Sequence, residues 1–182
     1  YFTYQLQKQF RPIRAGVQTI TPALVKATLP TQVDAQGRAL RTEKFVSSSA
    51  PLTLDIRPVP SAGQPASFSG AIGRFQVEVD ANPKILRVGD PLSVTLTVRG
   101  EGLLETVHPP ALEQQERLAQ DFKVQADPPA VKTDSDAKTY TYTLRPRHTG
   151  IREVPPIEMA YFDPDSQRFQ IARSASVPLR VD

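Results

Sequence analysis

The chain has 182 residues, and its 22 basic and 19 acidic side chains, formal net charge +3, are interspersed along it. That pattern argues against a nucleic-acid partner, because no basic stripe interleaved with aromatics stands out and the stretch from Lys8 to Arg14 is short. The 18 prolines stand against one methionine, no cysteine and no tryptophan, which excludes a disulfide scaffold and a thiolate metal site and leaves few stretches where a long helix could form.

In chain order, the first sixty residues look like an unrelated half-domain until they are laid against the end of the chain. Gly16 follows Pro12 and precedes Val17, Ile20 and Pro22, while Gly150 follows Pro146 and precedes Ile151, Val154 and Pro156, all at matching offsets. Upstream, Tyr4 and Leu6 match Tyr142 and Leu144; downstream, Ser49-Ala50-Pro51-Leu52 is aligned with Ser176-Val177-Pro178-Leu179. Two hairpins sharing only their turn chemistry would be the plainer explanation. The repeat predicts that residues 1–60 are the C-terminal strands of a truncated immunoglobulin-like domain. Such a remnant leaves an unpaired edge, so it is expected to dock on the second domain or to self-associate strand to strand.

Residues 61–72, within the stretch PSAGQPASFSGAIG, read as a Pro/Gly/Ser linker that leaves some interdomain freedom. From 73 to 182 the pattern is period-two. Phe75, Val77 and Val79 alternate with polar residues, as do Leu92, Val94, Leu96 and Val98 after the Gly89-Asp90-Pro91 turn. Gly100-Glu101-Gly102 reads as a hairpin turn, and ALEQQERLAQDF, ending at Phe122, as one short surface helix or helical turn. A short strand at Phe122, Val124 and Ala126 follows. Tyr140, Tyr142 and Leu144 then share a face, and Ile157, Met159 and Tyr161 form a strand up to the Asp163-Pro164-Asp165-Ser166 turn. Phe169 and Ile171 begin the return, and Val177, Leu179 and Val181 close the domain. Seven or eight short strands in roughly 110 residues predict a complete immunoglobulin-like antiparallel β-sandwich. The fold class is therefore all-β, a tandem of such sandwiches.

The search for chemistry yields no catalytic, cofactor-binding or metal-binding residue. His108, before Pro109-Pro110, and His148, in the Pro146-to-Gly150 turn, read as exposed turn histidines rather than bases. Gly100-Glu101-Gly102 lacks the third glycine of a phosphate cradle. Asp163-Pro164-Asp165 begins like a calcium loop, yet the sixth position is Arg168 and the twelfth Ser174, so a turn is the better reading. Asp134 and Asp136 read as a solvated loop, with a weak calcium site between loops left open. Tyr161-Phe162 reads either as a partner-binding tip or, for Tyr161 in its alternating strand, as core.

The stretch from SFSGAIG through Phe75, the VGDPL turn at Val88–Leu92, the Gly-x-Gly motif, the strand ending LRPRHTG and the strand ending YFDP resembles the BatD family of bacterial aerotolerance (oxygen tolerance) proteins. The resemblance implies an extracytoplasmic protein, membrane-anchored in its full length, with tandem immunoglobulin-like domains. It also implies partners, namely von Willebrand factor A-type membrane proteins and a MoxR-type AAA+ ATPase system. No apolar run approaches the roughly 20 residues that cross a bilayer, and YFTYQLQKQF does not resemble a signal peptide, so the chain reads as a mature or trimmed segment whose anchor lies elsewhere. The expected function is a non-catalytic protein-interaction scaffold of the bacterial envelope. The alternative is a carbohydrate- or ligand-binding sandwich serving an envelope enzyme, which the lack of tryptophan for sugar stacking disfavours.

Overall fold

The structure, a computed structural model, describes residues 5, 7, 10 and 12–182. Tyr4 and Leu6, the upstream members of the sequence repeat, lie outside the described residues, as do Lys8 and Arg11 of the basic stretch. Strands take up 53% of the residues and, among the described residues, there is one short α-helix, so proline-punctuated alternation has produced a mostly β chain. It divides into two units, Tyr1–Val59 and Pro60–Asp182.

The first unit contains β1 (Gly16–Ile20), β2 (Leu24–Val33), β3 (Ala39–Ser48) and β4 (Leu52–Ile56). β1 pairs with β4 and β2 with β3, both antiparallel. These are two lengths of one ribbon. The register runs from Gly16↔Ile56 to Ile20↔Leu52, resumes four residues further along each strand at Leu24↔Ser48, and continues to Pro30↔Thr42. The interruption falls at Pro22 and Pro51, which have no N–H to give to a ladder. Ser49 bridges the gap: its N–H donates to the Ala23 carbonyl at 3.0 Å, and its hydroxyl accepts the Ala23 N–H at 3.0 Å. At the ribbon tip the Asp34 carboxylate accepts the N–H groups of Gln36 and Arg38, and Gly37 takes the positive φ of 79° that closes the turn.

The second unit begins with β5 (Phe68–Asn82), β6 (Ile85–Leu86) and β7 (Leu92–Gly102). Helix α1 (Glu116–Asp121) and β8 (Phe122–Val124) follow, then β9 (Ala130–Thr133) and β10 (Ala137–Pro146). The chain closes with β11 (Glu153–Val154), β12 (Glu158–Asp163), β13 (Arg168–Arg173), β14 (Val177–Pro178) and β15 (Arg180–Val181). A seven-stranded sheet has the order β13-β12-β5-β7-β10-β8, with β9 also on β10. β11 pairs with β14, and β15 with β6. The alternation read from the sequence is the alternation of burial. Leu92, Val94, Leu96 and Val98 of β7, with Tyr140, Tyr142 and Leu144 of β10, point into one core against Phe75, Val77, Ile157 and Met159.

Three expectations need correction. The seven-stranded sheet is mixed rather than antiparallel, because β12 lies parallel to β5, and β15 pairs parallel with β6 in a separate two-stranded sheet. Gly100-Glu101-Gly102 is no turn; it is the end of β7, paired with β5 through Phe75↔Gly100 and Gly73↔Gly102. The backbones meet there so closely that a Cβ on Gly100 would fall on the Arg74 carbonyl, and one on Gly102 would lie 2.9 Å from the Phe75 ring. Both glycines also have φ near +150° (150° and 152°), which L side chains avoid. β5 starts at Phe68, so its first residues occupy the end of the segment whose composition reads as a linker. The helical stretch is split into a 3₁₀ turn, Leu112–Gln114, and α1, hinged at Gln115.

The sequence repeat has a structural counterpart. In the second unit Val154↔Val177 is followed, four residues along each strand, by Glu158↔Arg173. The gap at Pro155-Pro156 is bridged by Ser174, whose N–H donates to the Ile157 carbonyl at 3.0 Å while its hydroxyl accepts the Ile157 N–H at 2.9 Å. The Pro22/Pro156 half of the alignment therefore stands. The downstream half shifts by two residues, since Ser49 corresponds to Ser174 and not to Ser176, and Leu54 rather than Leu52 corresponds to Leu179.

Candidate interaction surfaces

Each side chain singled out for chemistry has a structural partner. Nδ1 of His108 lies 2.8 Å from the Ser69 carbonyl, so the ring N–H there donates to β5 and ties the segment after β7 to that strand. His148 is exposed; Nδ1 lies 3.0 Å from the Thr149 carbonyl and Nε2 3.2 Å from the Asp121 carboxylate. The Thr149 carbonyl, with the Asp121 carboxylate adding to it against a smaller desolvation effect, raises the His148 pKa above its ordinary value. Both histidines orient loops.

In the Asp163 turn, one carboxylate oxygen of Asp163 accepts the Asp165 N–H at 3.0 Å and the other the Ser166 hydroxyl at 2.9 Å. Arg74 pairs with both Asp163 and Asp165, placing a guanidinium where a cation would have to sit. Gln167 takes φ 54° to complete the turn. Asp134 and Asp136 occupy the β9–β10 loop, paired with Lys132 at 3.2 Å and Arg99 at 2.9 Å. Tyr161 packs edge-on against Phe75 at 5.9 Å, on the core side of β12. Phe162 lies on the other side, in a cluster with Phe169 at 5.2 Å, and Phe169 in turn meets Phe68 at 5.1 Å. The two aromatics of the proposed tip are thus packed to opposite faces of one strand.

An open cleft of about 620 Å³ lies between the start of β5 and the helical segment, lined by Ser67, Phe68, Pro110, Gln115 and Pro156 among others. Among its lining residues, the Gln115 side chain is already committed. The Gln115 amide donates to the Glu158 carbonyl at 2.9 Å and accepts the Glu158 N–H at 3.0 Å, acting as a one-residue strand against β12. Buried tyrosines hold the other end of the crossing segment: Tyr140 donates to the Val107 carbonyl at 2.6 Å, and Tyr142 to the Pro110 carbonyl at 3.0 Å. Burial pushes the Tyr140 hydroxyl up to about 12 and raises that of Tyr142 further, with Tyr140 and Glu113 adding to the second shift.

These clamps escape sequence reasoning because nothing local marks Gln115, Arg74 or Phe68. Their partners are far along the chain, and Phe68 sits in a stretch whose composition suggests a connector.

Most of the exposed large apolar side chains among the described residues belong to the first unit. None of its described residues is buried. Val17, Leu24, Val25, Leu29, Leu52 and Leu54 are exposed, which is unusual for two amphipathic strand pairs. The polar and apolar positions nevertheless alternate as in a half-buried sheet: Ile20, Leu52, Leu54 and Ile56 occupy one face of β1–β4, and Val25, Ala27, Leu29 and Phe45 one face of β2–β3.

Among the described residues no helix is long and apolar enough to cross a membrane. No curated protein and no solved structure gives a match to the chain. The family model of the BatD DUF11-like domain matches residues 79–181, from the middle of β5 to the last strand. That span is more than half of the chain and contains most of the core, both clamping tyrosines and the ribbon bridged by Ser174, and on it the chain belongs to the BatD family.

Proposed function

We propose that this chain is a non-catalytic, extracytoplasmic interaction scaffold built of tandem immunoglobulin-like units. In this reading it is tethered to the bacterial envelope through an anchor elsewhere in the longer protein, and works with von Willebrand factor A-type membrane proteins and a MoxR-type ATPase system. The match of the BatD domain over residues 79–181 carries the reading. The committed polar chemistry supports it: His108, His148, Asp163 and Gln115 each spend their side chains on loop or strand geometry. Function then rests on surface burial, which an exposed strand ribbon and a rigid sheet unit can supply.

The test is affinity capture of the membrane-tethered protein from mild detergent extracts. Recovery of von Willebrand factor A-type membrane proteins is expected. Their absence across several detergents, with the protein itself intact, would overturn the proposal.

A further inference from the structure

Three segments of the second unit meet at one end of its core: residues 84–90 around β6, residues 145–152 between β10 and β11, and residues 179–182 around β15. Backbone bonds knit them together. The Arg180 N–H donates to the Lys84 carbonyl at 2.8 Å, the Leu179 N–H to that of Arg152 at 2.9 Å, and the Gly89 N–H to that of Pro146 at 3.0 Å. Leu86, Ile151, Leu179 and Val181 are buried there. Alternation therefore leaves Ile85, Arg87, Arg152 and Arg180 outside, all exposed.

Acidic residues slightly outnumber basic ones over residues 60–182, yet at this end the balance reverses. Lys84, Arg87, Arg145, Arg147, Arg152 and Arg180 stand against Asp90 and Asp182 in the three segments. The acids are also spent. Asp90 accepts the Arg87 N–H at 2.9 Å, and Asp182 pairs with Arg180 at 2.9 Å. Asp80 and Asp121, which border the segments, are held by Lys84 at 2.8 Å and by His148 at 3.2 Å. Arg145 reaches only the Gly89 carbonyl, at 2.7 Å. The side chains of Arg87, Arg147 and Arg152 enter none of the ion pairs among the described residues, so their charge is surplus. On either side of Arg87, Ile85 is 61% and Val88 43% exposed, and the three segments contain no Phe, Tyr or Trp.

We propose that this end docks on an anionic lipid bilayer, with the guanidiniums of Arg87, Arg147 and Arg152 against phosphate headgroups and Ile85 and Val88 at the boundary with the acyl chains. Surplus positive charge around exposed aliphatic side chains is the combination that interfacial binding uses. An acidic protein surface fits less well, because protein interfaces concentrate their energy in aromatic and Arg anchors seated in pockets, and no aromatic stands here. The guanidiniums also stand on separate segments. Mobile headgroups can move to each of them, whereas a rigid partner would have to match all three at once. This goes beyond the scaffold reading, and it can fail alone, because its test involves no envelope protein.

The test is flotation of the full chain with vesicles of phosphatidylcholine alone, or of phosphatidylcholine carrying about 30% phosphatidylglycerol. The chain should float with the anionic vesicles at about 0.05 M salt, be released at about 0.5 M, and stay behind with the neutral ones. Combining Arg87→Gln, Arg147→Gln and Arg152→Gln, all exposed and outside the core, should weaken binding about tenfold or more. Ile85→Ser with Val88→Ser should weaken it while leaving its salt dependence. A charge-matched control in the first unit, Arg38→Gln, Arg41→Gln and Lys44→Gln, should retain most of the binding. The proposal is overturned by no flotation with anionic vesicles, by equal flotation with both kinds, by undiminished binding of the triple Arg variant, or by loss confined to the control. Retention on polyglutamate beads without flotation would assign this end to an acidic protein and overturn it as well.

Discussion

Ser174 and Ser49 are the same residue of a repeated device, each donating its hydroxyl to the carbonyl of the following alanine at 2.9 Å while accepting the N–H of the residue across the ribbon. One is buried and the other exposed, so the same substitution reads out burial. Ser174→Ala leaves the N–H of Ile157, a residue with no solvent exposure, without its acceptor, and should cost about 1–3 kcal/mol. Ser49→Ala should change stability by no more than about 0.5 kcal/mol, because water replaces the hydroxyl. Urea denaturation of the two variants checks the contrast, and equal effects would refute it.

A second contrast separates a glycine needed for space from one needed only for its φ. Gly100→Ala forces a methyl group onto the Arg74 carbonyl at φ 150°, whereas Gly89→Ala at φ 84° meets nothing within 4 Å. The first should cost more than about 3 kcal/mol, the second about 1–2 kcal/mol. Thermal melts of both variants provide the measurement.

The tyrosine clamps are unequal. The Val107 carbonyl also accepts from Lys138 Nζ at 2.7 Å, so Tyr140→Phe leaves it partly satisfied. Pro110 is buried beside Tyr142, and Tyr142→Phe should therefore cost more, about 1–3 kcal/mol against about 1 kcal/mol. Both hydroxyls have raised folded-state pKa values. Their contribution is thus complete below the ordinary tyrosine value near 10 and is lost as pH rises through about 12 for Tyr140. Stability against urea should be flat up to about pH 9 and fall beyond pH 10, less steeply in the double Phe variant.

His148 is exposed, and the Thr149 carbonyl raises its pKa above the ordinary value. Its raised pKa means that its contribution is present below the ordinary histidine value and fades as pH rises through the folded-state value. NMR titration should place it above the ordinary value, and Asp121→Asn should move it down without abolishing the shift, since the Thr149 carbonyl remains.

The sequence reveals what is periodic. Leu92 to Val98 and Tyr140 to Leu144 announce half-buried strands because neighbouring side chains must face opposite ways. It hides what depends on a distant neighbour. Phe68 pairs with Ala160 across the fold, so nothing in PASFSG distinguishes a strand from a linker. Gly100 and Gly102 look like turn residues because close approach and chain reversal ask for the same residue. The repeat was legible at its glycines and prolines but slipped by two at Ser49. The motif Ser-x-Pro-Leu in one copy does not mark the geometry that the serine hydroxyl marks in both. The Gln115 clamp and the Arg74 bridge have no local signal.

The uneven burial of the two units also has a calorimetric signature. Heat capacity on unfolding comes mainly from apolar surface newly hydrated, and the side chains of the Gly16–Ile56 ribbon are already largely wet. Melting the ribbon should therefore be nearly silent in a scanning calorimeter, and the denaturant slope of the whole chain should be that of its second unit alone.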